Sequence, residues 1–549
     1  MADKNWGGFK MDKNYIYQVS IREWIENDWG KEIFVPIYGG KKDDKWDVFF
    51  QSYLVSADET EQQLETDSYD IHGSLLPGIT VYGSWDSGEA VYHKWGNDSN
   101  IEPFVIKRNY NGLASNNVEI VEEFRFLFNL YYNSQSKEYI DLENDITVIK
   151  ISDNDLVSVH KRYLKSYLAV KNMALIMHID SRCVDIMKES LSADGVVYRN
   201  EDNTVFYTVN IGTSNAEIQQ KNFSTLYGKK VLFGCELKDC NIWPYNEEKH
   251  YIDFIIGIDD DGKEIHHSCD PSKLSNYFGA NPTAPHYLTP VFFDSAVLQK
   301  YYLNPERYKV EDCIIRCGTL WSLYIDNQNT GYVSAYLGDL GRNLPSEQEQ
   351  HYWRGFNKPL DAKLSTTKFR RDFMSIPTDP QSLDFVFKKT YLKINHQFTE
   401  KMGWPLFLEL DKQDLYNFEG LRIPINNSIV EMDMLVLSLV KVVLDSLNEK
   451  KIVAQLTGTY EKLTGSISKL EAWFQEKHLS DYQEHIKFLR DLQELRSRGT
   501  GHRKGKGYQK ISKAFDIQRE NYAETFSNIL DNVISFLNYI EAHFEELSQ

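Results

Sequence analysis

Cysteine is scarce in this chain: 549 residues hold six, at Cys183, Cys235, Cys240, Cys269, Cys313 and Cys317. So few exclude a disulfide-dense scaffold. The spacings Cys235-x4-Cys240 and Cys313-x3-Cys317 are not the C-x-x-C pairs of a zinc ribbon. His266-His267-Ser268-Cys269-Asp270 has its partners adjacent, whereas nucleophile dyads converge from distant segments. Reduced thiols are expected, with no metal and no other cofactor. Long apolar runs are missing too. The longest stretch, Met434–Leu444, is broken by Ser438 and Lys441 and falls short of the ~18 residues a membrane helix needs. The first residues, MADKNWGGFKMDKN, contain no apolar leader core. A cytosolic protein with no membrane partner is expected. Positive charge is in deficit, with 61 Lys and Arg against 80 Asp and Glu and a net charge of -19. Such a surface repels nucleic acid over most of its area, although a focused basic island can still hold phosphate. Repeats and low-complexity segments are absent. So is a Walker loop: Gly505-Lys506 is followed by Gly507 rather than Ser or Thr.

The elements that are present give an α+β reading, with a large β-rich mixed body followed by an all-α bundle. Residues 1–150 read as β-rich, with strands at Trp46–Val55, Ile71–Tyr82, Phe104–Arg108 and Ile146–Ile151. Val118–Tyr132 is aromatic and fits either strand or helix. Residues 151–426 read as mixed and as one body with the first region. A helix at Lys161–Met173 precedes a buried strand at Ala174–Ile179, with further strands at Val205–Ile211, Lys230–Phe233 and Tyr251–Ile258. Asp259–Gly262 reads as a turn rather than a calcium loop. Asp326-Asn327 and Asp339 with Arg342 are candidates to line a pocket, but YLGDLGRNLP reads as a strand followed by a turn and a helix start, and the turn is the favoured reading. Ser382–Met402 carries Phe387, Tyr391, Ile394 and Phe398 on one helical face, with Gly403 as its stop.

From about residue 427 to the end, every segment reads as helix, with the boundary at Pro424–Ser428. Ser428–Lys450 opens with a capping box, Ser428-x-x-Glu431, and is apolar nearly all round. Ser466–His478, Asp481–Arg496 and Asp516–Leu547 complete a four-helix pattern.

Between the third and fourth of these helices the charge inverts. Leu495–Lys513 holds Arg496, Arg498, Arg503, Lys504, Lys506, Lys510 and Lys513, with no acidic residue. It also holds Gly499, Gly501, Gly505 and Gly507, and His502. Arginine forks and lysine ammoniums suit phosphate, and glycine lets backbone N–H groups approach an anion. An imidazole titrates near neutral pH and moves protons there. RNA supplies its own nucleophile, the 2′-hydroxyl. A histidine and an arginine flanking a phosphodiester are therefore a minimal ribonuclease.

Arg496, five intervening residues and His502, placed between amphipathic helices, resemble the Arg-x4–6-His motif of the HEPN superfamily (higher eukaryotes and prokaryotes nucleotide-binding). The resemblance covers about the last 120 residues. Ser497 follows the arginine, where many members have Asn, Asp or His. The resemblance implies metal-independent endoribonuclease activity in a bacterial abortive-infection, antiphage or toxin-type system. It implies a homodimer through the bundle and assigns Arg496 and His502 to catalysis. Arg498, Arg503, Lys504, Lys506 and Tyr508 are the expected substrate-binding residues. RNA, tRNA among the candidates, is the expected partner. The body is expected to sense a phage-derived or cellular trigger. The alternative is a non-catalytic bundle that dimerises or binds a nucleotide or RNA.

Overall fold

The computed structural model describes all residues except 1–14, 28–31, 43–44, 66–76, 85, 95–100, 153–154, 186–193, 216–219, 247, 330, 361, 427, 459–462, 500–503, 519–520 and 549. The chain is mixed α+β, with a β-rich N-terminal part and a C-terminal run of helices. Contacts divide it into two units, residues 1–248 and 249–549.

The first unit is organised by one antiparallel sheet of eleven strands. They are β1 (Phe34–Lys42), β2 (Trp46–Ser56), β3 (Ile101–Pro103), β4 (Tyr131–Asn133), β5 (Glu138–Asp141), β6 (Ile146–Ile151), β7 (Val157–His160), β8 (Met173–Asp185), β9 (Asp194–Arg199), β10 (Val205–Asn215) and β11 (Gln220–Leu232). The order is β9-β10-β11-β8-β2-β1-β7-β6-β5-β4, with β3 on β2. Alternation puts Trp46, Val48 and Phe50 into the larger core, where helices α1 (Val19–Glu26) and α2 (Lys161–Lys171) deliver Trp24, Ile25, Leu164 and Tyr167. Tyr53 and Val55 join Leu64, Ala174 and Ile176 in a smaller cluster.

Two strands are longer than their apolar segments suggest. The expected strand 174–179 runs to Asp185, and 230–233 is only the end of β11. Their register extends from Leu175↔Leu232 to Asp185↔Asn222. Ladder hydrogen bonds carry the polar stretch at the start of β11, which hydropathy alone does not reveal. Val118–Tyr132 resolves into both alternatives, a strand at Asn117–Ile120 followed by a helix at Glu122–Leu127. No division falls at residue 150, because β6 pairs with β7 inside the same sheet.

The second unit opens with a hairpin, Asp253–Ile258 against Glu264–Ser268. Its turn is the expected one. Asp259 Oδ1 accepts from the N–H groups of Asp261 and Lys263, and Gly262 takes φ +81°. A five-stranded antiparallel sheet follows, made of β12 (Pro290–Asp294), β13 (Tyr308–Glu311), β14 (Ile314–Cys317), β15 (Trp321–Asp326) and β16 (Tyr332–Tyr336), in the order β12-β16-β15-β14-β13. Phe293, Tyr301, Ile315, Leu323, Val333 and Trp353 fill its core. Leu337–Asn343, read from sequence as a turn, is a helix whose Leu337 and Leu340 enter that core.

The later helices are α3 (Glu347–Arg354), α4 (Thr366–Met374), α5 (Leu383–Met402), α6 (Ile429–Val440), α7 (Ser466–Glu476), α8 (Tyr482–Gly499), α9 (Lys506–Ala514), α10 (Tyr522–Ala542) and α11 (Phe544–Ser548). The stripe of α5 is buried as expected, and Gly403 ends the helix at φ +75°. That stripe belongs to the C-terminal core. Phe387, Tyr391, Ile394 and Phe398 cluster with Leu439, Trp473, Leu489 and Phe526. The helical layer therefore begins at Leu383 rather than at 427.

The long helix expected at 428–450 is interrupted. α6 passes into a π-turn at Lys441–Asp445, and a new helix, Glu449–Ala454, starts from an Asn448 cap. The capping box is half formed. Ser428 Oγ accepts from Val430 N–H at 3.3 Å, while Glu431 turns to Arg422 Nη2 (2.6 Å) and Asn426 N–H (2.8 Å). Arg422 is buried, and a buried guanidinium holds its carboxylate more strongly than a helix end does.

Candidate functional site

The basic island lies at the joint of α8 and α9. Tyr482, Ile486, Leu489, Leu492 and Leu495 form the buried stripe that fixes α8 against the core. The helix continues three residues beyond its expected end, so Arg496 and Arg498 both stand in its last turn. Cations there face the negative end of the helix dipole. α9 was not anticipated from the sequence. It starts at Lys506, inside the island, and is held by buried Ile511 and half-buried Tyr508. Gly505 and Gly507 disfavour a helix here, but tertiary burial of one apolar face overrides that preference.

The two helix ends are tied together. Arg498 packs over Gly507, where an added Cβ would stand 3.1 Å from its Nε. Arg498 also faces Glu494 on its own helix at 3.7 Å. Asp433 of α6 meets both sides of the joint. Its Oδ1 lies 3.1 Å from where a Cβ on Gly499 would be, and its Oδ2 accepts from Lys504 Nζ at 2.6 Å. Any larger residue at 499 would crowd that carboxylate. Burial holds the Asp433 carboxyl above the usual carboxylate range, against the opposing pull of Lys504. The Lys504 ammonium lies 4.7 Å from the centre of the Tyr508 ring. Burial also raises the Tyr508 phenol, and Lys504 again opposes it.

Arg496 turns elsewhere. Its Nη2 lies 3.4 Å from Asp445 Oδ2 in the π-turn. Asp433 and Asp445 are twelve residues apart, roughly 18 Å of helix at ~1.5 Å per residue. The structure thus brings together Arg498, Lys504 and Tyr508 around the joint and gives Arg496 a separate carboxylate. Lys506 is exposed at the start of α9. His502 and Arg503 lie outside the described residues. Sequence reasoning missed Asp433 and Asp445. Their signal was faint: two of the four acidic residues in a segment, 428–450, that is otherwise apolar nearly all round.

The cysteine and histidine candidates of the body lie apart from the basic island in sequence. None of the six cysteines is joined in a disulfide. Cys269 is buried against Gln350 Oε1 at 3.4 Å, and burial pushes its thiol up to about 11. His266 contacts Arg354 at 3.2 Å. Among the described residues no group of three or more His, Cys, Asp or Glu could hold a metal ion. Asp326 accepts from Ser365 N–H at 2.6 Å, and Asn327 braces Cys313 and Glu311. Among the described residues no helix is long and apolar enough to cross a membrane. Comparison with protein-family models, with curated proteins and with solved structures finds no match to this chain.

Proposed function

We propose that the C-terminal helical region is a metal-independent endoribonuclease of the HEPN type. It serves as the effector of a bacterial defence or toxin-type system, and the N-terminal body answers to a trigger. In this reading His502 takes the proton from an RNA 2′-hydroxyl. The 2′-oxygen bonds to phosphorus, the bond to the 5′-oxygen breaks, and that oxygen leaves with the proton His502 returns. Arg496 stabilises the charge that builds on the phosphorane. Arg498, Arg503, Lys504 and Lys506 hold backbone phosphates, and Tyr508 offers a ring beside them. Two copies joined through the bundle would bring two such sets into one cleft.

One observation carries this reading. The basic island is the joint of a packed helical hairpin, with Gly499 and Lys504 both against Asp433 on either side of the segment that contains His502. Asp433 and Asp445 also supply a local restraint. Phosphates that engage Lys504 and Arg496 must displace these carboxylates. The counter-charge thus comes from the bundle itself.

The test uses the full-length chain with tRNA and total RNA in EDTA. Cleavage that falls at least ~100-fold in His502→Ala supports the reading. Equal cleavage by both proteins, or none by either, overturns it. The same ion pairs favour one second reading, a bundle that dimerises or binds without cutting. Arg496 and Lys504 already have carboxylate partners, which suits a structural joint.

A further inference from the structure

The unit 249–549 also contains a cavity of about 670 Å³, within the range of small-molecule sites. Its walls are largely aromatic and aliphatic. Tyr301 and Tyr302 come from a short helix at Gln299–Leu303, Tyr308 from β13, Phe385 and Leu392 from α5, and Phe418 from a short helix before α6. Most charges on the wall cancel in pairs. Lys309 pairs with Glu419 at 2.8 Å, Arg371 grips Asp312 through both Nη atoms at 3.0 and 2.7 Å, and Lys389 pairs with Asp379. Glu311 is engaged by Arg316 at 3.0 Å.

Lys388 is different. It lines the same cavity from α5 and makes no ion pair among the described residues. Its ammonium donates one hydrogen bond, to the Glu419 carbonyl oxygen at 2.8 Å. An ammonium has three N–H donors, so two remain available. Burial lowers its pKa to about 8. Asp384, Glu419 and Glu311 work in the opposite direction, and Arg422 reinforces the lowering. A half-buried cation with spare donors in an apolar cavity is costly unless an acceptor arrives.

We propose that this cavity binds a planar, mainly apolar small molecule through one anionic group, which the Lys388 ammonium receives. The rings select flat apolar bodies. The single unpaired cation sets the number of anionic groups at one, because a second anion would meet Asp312, Asp379 or Glu419. The site is independent of the ribonuclease reading, and its test uses no RNA.

The probe is 8-anilinonaphthalene-1-sulfonate, which has flat rings and one anion. Its control is the uncharged N-phenyl-1-naphthylamine. Folded full-length protein should bind the sulfonate saturably, one per chain. Lys388→Met should weaken the sulfonate at least ~tenfold, the scale of one charge-assisted contact, and leave the neutral probe within about twofold. Leu392→Trp, placed at an exposed rim position, should weaken both. The sulfonate affinity of the unmodified chain should also fall between pH 7 and pH 9.5, as Lys388 loses its proton, while that of the neutral probe holds. This last comparison decides the matter even if Lys388→Met does not fold. Absence of saturable binding, equal sulfonate binding by the chain and both variants, equal losses for both probes in Lys388→Met, or a flat pH profile would overturn the proposal.

Discussion

The α8–α9 joint and the Lys388 cavity treat positive charge in opposite ways. At the joint, cations are crowded, exposed and met by carboxylates: Arg496 by Asp445, Lys504 by Asp433. In the cavity the Lys388 ammonium donates to one carbonyl and forms no ion pair among the described residues, although Asp384, Glu419 and Glu311 lie near enough to act on it. Exposed pairs cost little to form and little to break, so they suit a surface that exchanges protein carboxylates for phosphates. A half-buried ammonium with no ion pair costs stability, and the proposed anion would offset that cost. On the two proposals made above, the contrast separates a site for a polyanion from a site for one small acid.

Helix α5 links the two, since Lys388 faces the cavity while Phe398 seals the helical core. The largest expected effect follows from that link. Phe398→Ala should cost about 3–5 kcal/mol in denaturant unfolding. It should unfold the C-terminal helices and the cavity in one transition. If the helices beyond 427 keep their stability while the cavity melts, the shared core is wrong.

The next effect is a pH dependence. The folded chain holds the Lys388 pKa near 8, and the unfolded chain holds a lysine near its ordinary, higher value. Between those values the unfolded state binds more protons, so stability rises with pH across that window. Its contribution is about 2–3 kcal/mol. The stability difference between the chain and Lys388→Met should therefore shift in favour of the unmodified chain from pH 8 to pH 10. A flat difference would place the ammonium in solvent and erase the contrast with the joint.

The smallest effect concerns the joint. Asp433→Asn removes a partly exposed pair and should change stability by no more than about 1 kcal/mol. It should tighten RNA binding and steepen its salt dependence by roughly one phosphate contact, read from filter binding across salt concentrations. Weaker RNA binding in the variant would mean that Asp433 organises the site rather than restraining it.

Much of the helical architecture was legible in the sequence, because period 3.6 exposes buried stripes. Phe387 to Phe398 and Tyr482 to Leu495 lie where that period puts them. The basic island was legible as composition. What escaped has a common cause: each feature depends on a partner distant in sequence. The start of β11 is polar and becomes a strand only by pairing with β8. α5 joins the C-terminal core through residues more than thirty positions away, such as Leu439 and Trp473. Asp433 acts on Gly499 and Lys504 across more than sixty residues. Lys388, inside LDFVFKKTYL, looks like an ordinary polar position on an amphipathic helix. The capping box failed for the same reason, since Arg422 claims Glu431.

The central claim concerns the chemistry at the joint, and the ends of the RNA products test it most directly. Full-length protein incubated with RNA in EDTA should leave 2′,3′-cyclic phosphate and 5′-hydroxyl ends. Those ends should disappear with His502→Ala and fall at least ~100-fold with Arg496→Ala. Products with 3′-hydroxyl ends, or cyclic ends formed equally well by both variants, would contradict the account.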